Sequence, residues 1–109
     1  MLDFHAHIYF DSQTRESALS LRDALLALPS ATVTLGQVNE GPRGPHTVPS
    51  YEIYIRAQDF YQVVAWLVFH HGTHSVLIHP LTENEVEDHT HRALWLGKKQ
   101  ELNLAALIS

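Results

Sequence analysis

Residues 4–10 read FHAHIYF, in which Phe4, Ala6, Ile8 and Phe10 alternate with His5, His7 and Tyr9. Side chains that alternate with a period of two belong to an extended strand. One face of that strand is apolar and has to be covered by another layer. The other presents two imidazoles and a phenol side by side.

The rest of the chain supplies the covering layer. Residues 12–28 change to a helical period, with Ala18, Leu21, Leu25 and Leu28 on one stripe and Arg15, Glu16, Arg22 and Asp23 away from it. Ser12 or Thr14 is placed to cap this helix, and Pro29 to stop it. Residues 32–39 alternate again, with Gly36 marking a bulge. YEIYIR at 51–56 turns Tyr51, Ile53 and Ile55 to one face and Glu52, Tyr54 and Arg56 to the other. A second helix is expected over 58–71, with Phe60, Val63, Val64, Leu67 and Val68 as its core stripe and Gly72 as its stop. SVLIHP at 75–80 reads as a short strand. Thr82 and Glu85 have capping-box spacing for a short helix near 83–92, and ALWLG at 93–97 reads as extended. Between the second and third strands, EGPRGPHTVPS (40–50) forms one long Pro- and Gly-rich loop that carries His46. Loops of this length in small domains are mostly functional.

The order is β-α-β-β-α-β followed by a tail. This implies an α+β fold of the ferredoxin-like kind, an antiparallel sheet with both helices on one face and a C-terminal extension. A chain of 109 residues has room for one such domain, spanning 1–109. In this topology the first and third strands are central neighbours, with the 75–80 strand on the other side of the first. His5, His7 and Tyr9 then share the open face with Glu52, Tyr54, Arg56 and His79.

Composition narrows what that face can do. Nine histidines outnumber the seven lysines and arginines, and cysteine is absent. Disulfides, iron–sulfur clusters, cysteine zinc sites and thiol nucleophiles are therefore excluded, and any metal must be held by His, Asp or Glu. A net charge of −5 argues against nucleic acid. No apolar stretch reaches the length of a membrane span, and no signal peptide is legible, so a cytoplasmic location is expected. His7 and His79, on neighbouring strands and one face, suit a metal with open positions. A shared ion requires their ring nitrogens to lie closer than about 7 Å, given metal–nitrogen distances near 2 Å. His70, His71 and His74, at a helix end and turn, read as capping or surface residues, and His91 as solvent-facing. Asp88 precedes His89, but adjacent residues rarely orient one another.

The segments HAHIYFD (5–11), GPHTVP (44–49), Glu52 of YEIYI, WLVFHHG (66–72), SVLIHP (75–80), DH (88–89) and ALWLG (93–97) together resemble the DOPA 4,5-dioxygenase family. The resemblance covers nearly the whole chain in family order. It implies the ferredoxin-like fold and an extradiol ring-cleaving reaction on DOPA or a related catechol, using non-haem Fe(II) and O₂. Carried over by position, it implies His7, His46 and His79 as metal ligands, with Glu52 as an alternative ligand if the site is a 2-His-1-carboxylate triad. His89 and His5 become the candidate catalytic acid/base groups, an ordinary imidazole being suited to proton transfer near neutral pH. Arg43 or Arg56 would hold a substrate carboxylate, and Tyr9 and Tyr54 would line the substrate site. The segment His70-His71-Gly72-Thr73-His74 departs from the family pattern.

Two other functions fit the same residues. One is a non-catalytic, dimeric ferredoxin-like module that binds a ligand or metal. The other is a Zn-dependent hydrolase or isomerase, and Zn is also an ion that an iron site of this kind can hold as purified. A polar, aromatic sheet face needs cover, which a homodimer would supply, or else the C-terminal tail.

Overall fold

The computed structural model describes residues 2–29 and 33–108. Its strands are β1 (Phe4–Tyr9), β2 (Val33–Asn39), β3 (Ser50–Ile55), β4 (Val76–Pro80) and β5 (Leu94–Leu96). Its helices are α1 (Arg15–Leu26), α2 (Phe60–His70) and α3 (Glu85–His89), with 3₁₀ turns at Ala57–Asp59 and Leu104–Leu107. The sheet order is β2-β3-β1-β4-β5, and every pair is antiparallel. The first four strands have the ferredoxin-like arrangement expected from the element order. The ALWLG segment adds a fifth strand on the edge of β4. Thr32, where the second strand was expected to begin, lies outside the described residues.

One apolar face of the sheet meets the helices. Ala6 and Ile8 of β1, Tyr51, Ile53 and Ile55 of β3, and Val76 and Ile78 of β4 are buried against Ala18, Leu21 and Leu25 of α1 and Val63 and Leu67 of α2. The Tyr51 hydroxyl, fully buried, donates to the Ala18 carbonyl at 2.8 Å and ties α1 to the sheet. Val68 departs from the expected stripe and is 48 % exposed, because α2 turns it beyond the contact with the sheet. The β2–β3 register shifts between Leu35 and Val38, where Gly36 sits. A Cβ on Gly36 would lie 3.2 Å from the Glu52 carbonyl oxygen and 3.3 Å from the Glu52 Cβ, tighter than most side chains pack, so glycine eases the close approach of the strands there. Gly72, at a φ of 60°, ends α2 in the left-handed conformation that glycine tolerates best.

Two helix starts differ from expectation. Thr14 occupies the N-cap position of α1 but makes no side-chain cap bond, and the Asp11 carboxylate accepts from the Gln13 and Thr14 amides just before the helix. Before α3 it is the Asn84 side chain that accepts from the Glu87 amide. Thr82 instead donates through its hydroxyl to Asp88, so the expected capping box does not form.

The face opposite the helices is covered by the chain itself. Arg43 and His46 exchange backbone hydrogen bonds of 3.0 Å across a tight turn. His46 also bridges Leu102 of the tail. The Asn103 amide donates to the Pro45 carbonyl at 2.8 Å, and the Thr47 hydroxyl donates to the Glu101 carbonyl. The long loop and tail thus lie together over the histidines. This is the cover expected of the tail.

Candidate metal centre

Strand geometry assembles a cluster of five imidazoles. His5 and His7 point the same way from β1, and His79 stands opposite His5 on β4. The loop brings His46 to a ring-centroid distance of 4.1 Å from His7. Helix α3 brings His89 to 4.0 Å from His79. The Nε2 atoms of His7 and His79 are 3.0 Å apart, a span that one ion with metal–nitrogen bonds of about 2.0–2.1 Å can bridge. Donor atoms within 4.8 Å of one another form two triplets that share His7: His5, His7 and His79, and His7, His46 and His89. The expected trio of His7, His46 and His79 is split between them. His5 and His89, expected as acid/base groups, each belong to one.

Most of the rings are locked by their second nitrogen. His79 Nδ1 donates to the Pro80 carbonyl at 2.9 Å, and His89 Nδ1 to the Glu85 carbonyl at 2.7 Å. His5 Nδ1 lies 3.2 Å from a Glu52 carboxylate oxygen. Such partners fix ring orientation and raise ligand basicity. His46 differs, because its Nδ1 lies 2.7 Å from the Tyr9 hydroxyl. Burial, reinforced by neighbouring imidazoles, holds His7 well below the usual histidine range. Burial lowers His46 and His79 to about 4. Burial also lowers His5, against the opposing pull of Glu52. A set of neutral imidazoles facing one point is what a divalent transition metal requires.

Two cavities open onto the cluster. One, of about 190 Å³, is lined by His5, His7, His46, His79, His89 and Leu107 among others. The second, of about 280 Å³, adjoins it through His7, His46 and Glu52 and carries Gln37, Arg43 and Ser50. Ser50 is 1 % exposed, and its hydroxyl has no hydrogen-bond partner among the described residues. A larger hollow of about 520 Å³ between α3 and the tail touches the cluster only at His89.

The remaining expected site residues divide. Arg43 reaches the second cavity. Glu52 lines both cavities and pairs with His5. Tyr9 is buried, its ring stacked on Trp95 at 5.8 Å and its hydroxyl on His46, so it supports a histidine and does not line the two cavities. Burial raises its pKa, keeping the phenol protonated. Tyr54 shares the face of His5 but donates its hydroxyl to Asp3. Arg56 is corrected: it follows β3, pairs with Asp59 at 3.0 Å and lines neither cavity. His74 is also corrected, being buried and not at the surface. Its Nδ1 donates to the Tyr9 carbonyl, and its Nε2 lies 2.9 Å from the Ser17 hydroxyl. Sequence periodicity missed Ser50 and Gln37, which reach the cavity through the β2 bulge and the strand end. Only the glycine at 36 signalled that irregularity.

This fold and cluster define a small ferredoxin-like protein with a histidine-rich centre on its sheet. The Dopa 4,5-dioxygenase family profile matches residues 4–106, and the chain belongs to that family. It is 42 % identical over 112 aligned positions to DOPA 4,5-dioxygenase of Amanita muscaria, covering 96 % of this chain and 49 % of that protein. It is 30 % identical to an uncharacterized 21.2 kDa protein of Botryotinia fuckeliana, covering 94 % of this chain and 61 % of that one. The chain thus spans about half to three-fifths of the length of these curated relatives. A crystal structure from Nostoc punctiforme, described as that of a candidate dioxygenase, superposes with a TM-score of 0.90 at 35 % identity. That match covers 98 % of this chain and 91 % of the other.

Proposed function

We propose that this chain is an extradiol-type dioxygenase that opens the ring of DOPA or a related catechol. The observation that carries the reading is the five-histidine cluster, with its two donor triplets, at the mouth of two cavities. Family membership and the name of the Amanita muscaria relative support the same activity. The donor set fits a non-haem Fe(II), held by His7 with two further histidines of the cluster. When bound, that ion supplies a place where catecholate and O₂ can meet.

In the overall reaction the ring C–C bond beside the two oxygen-bearing carbons breaks. Both atoms of O₂ enter the product, and the four electrons that reduce them come from the ring. The protein's part is positioning and proton handling. Histidines not holding the ion accept a catechol proton and return one to a product oxygen. Arg43, in the 280 Å³ cavity with the unpartnered Ser50 hydroxyl, is placed to hold a substrate carboxylate. Residues 1–109 act as one folded unit, with the tail excluding bulk water from the cluster.

Protein loaded with Fe(II) without oxygen, then mixed with catechols in air, is expected to consume O₂ and form a yellow ring-opened product in equal amounts. Failure to turn over any catechol in a broad panel, with metal demonstrably bound, overturns the reading. Turnover of a hydrolytic substrate by the Zn-loaded chain without O₂ uptake would assign it to metal hydrolases.

A further inference from the structure

We propose that hydrogen-bond polarity divides the histidine cluster into an ion-holding triplet, His5, His7 and His79, and a non-ligating donor, His46, whose proton is placed by Tyr9. The proposal deepens the dioxygenase reading and rests on it only for the role of His46 in turnover. The division itself concerns which nitrogen carries hydrogen.

A neutral imidazole has one N–H and one lone pair, and the partner of one nitrogen decides what the other presents. Carbonyl and carboxylate oxygens accept only. His79, held by the Pro80 carbonyl, and His89, held by the Glu85 carbonyl, therefore keep hydrogen on Nδ1 and present a lone pair at Nε2. His5 follows the same rule through the Glu52 carboxylate.

The partner of His46 is a hydroxyl, which can donate. Tyr9 is 3 % exposed, and among the described residues the only hydrogen-bond partner of its hydroxyl is His46 Nδ1. If that nitrogen carried the hydrogen, the phenol O–H would be buried with no acceptor, an arrangement folded proteins avoid. The phenol therefore donates to Nδ1, and His46 carries its hydrogen on Nε2. A nitrogen bearing hydrogen cannot ligate. The triplet of His7, His46 and His89 is thus unsuited to an ion, and the triplet of His5, His7 and His79 is left to hold it.

Two consequences follow from the same rule. His89, with an inward lone pair, is the acceptor for a substrate proton, and His46 is the hydrogen-bond donor to a substrate oxygen. Without metal, His7 Nε2 must donate to the lone pair of His79 across their 3.0 Å contact. Binding an ion requires that hydrogen to move to Nδ1 of His7.

Nitrogen-15 NMR of the imidazoles in the whole chain reads these tautomers directly, with no variant and no turnover. Metal-free protein is expected to show Nδ1–H on His5, His79 and His89, and Nε2–H on His46 and His7. Adding Zn(II) should convert His7 to Nδ1–H and leave His46 unchanged. Tyr9→Phe should release His46 from the Nε2–H form, a change that a merely structural phenol would not cause. Competition with a chelator then measures Zn(II) and Fe(II) binding. His5→Ala or His79→Ala should weaken it at least about 100-fold, and His46→Ala less than about 10-fold.

The proposal is overturned if His46 reads as Nδ1–H in the native protein. It is equally overturned if His46→Ala abolishes ion binding while His5→Ala does not. Tautomers and affinities as stated, in a loaded protein that opens no catechol, would leave the division standing and sink only the dioxygenase reading.

Discussion

Arg43 shows how little a single residue's chemistry means without its neighbours. Two arginines were candidates for a substrate carboxylate, and their side chains are identical. Arg56 is consumed by Asp59 at the start of α2. Arg43 stands on the turn that also aims His46, in a cavity with the buried hydroxyl of Ser50. A charged hydrogen bond contributes about 1.5–3 kcal/mol. Arg43→Met is therefore expected to raise KM for a carboxylate-bearing catechol by roughly 10- to 100-fold. Steady-state kinetics on catechol itself provide the control, and kcat/KM there should stay within about threefold. An equal loss on both substrates would remove Arg43 from carboxylate recognition.

At the scale of the element, a strand bulge sets the geometry beside the cluster. Gly36 lets β2 close onto Glu52, and Glu52 in turn holds His5. A Val at this position would push its Cβ into the Glu52 backbone, at a cost of about 1–3 kcal/mol for overpacking. Gly36→Val is expected to lower the denaturation midpoint and to loosen ion binding together, through the displaced Glu52–His5 pair. Gly41→Val is the control, because nothing lies within 4 Å of a Cβ there. Loosened binding with no loss of stability would contradict this coupling.

The same element marks how far the sequence could be read. The period of two in FHAHIYF and YEIYIR dictates which residues face the helices, and the order of periods dictates the sheet. His5, His7 and His79 could therefore be placed on one face before any coordinates. That five imidazoles converge could not be read, because His46 and His89 arrive on a loop and a short helix whose approach depends on tail contacts. His74 looked like a helix-end residue because the turn after Gly72 doubles back under β1, and no local pattern records that.

For the whole molecule, the cluster makes stability depend on acidity. Four imidazoles, the buried His7, His46 and His79 and the partly buried His5, are held below the ordinary value near 6.5, with His46 and His79 at about 4. The unfolded chain takes up these protons as pH falls through about 6.5, while the folded chain resists them, His46 and His79 until about 4. In that window the unfolded state binds more protons, so stability rises with pH. The contribution is complete above about 6.5 and is lost progressively toward 4. Asp3, lowered by the hydrogen bond from Tyr54, gives stability that disappears only at still lower pH, in the same direction. Each proton in excess changes stability by about 1.4 kcal/mol per pH unit. Denaturant melts of the metal-free protein should therefore show stability falling by at least roughly 2.7 kcal/mol per pH unit, equivalent to two protons, near pH 5. An ion on the cluster competes with the same protons, so Zn(II) should stabilise strongly at pH about 7.5 and progressively less toward 5. A flat stability profile between about pH 6.5 and 4 in the metal-free chain would mean that these imidazoles are solvated, and the dry, neutral centre described above would not exist.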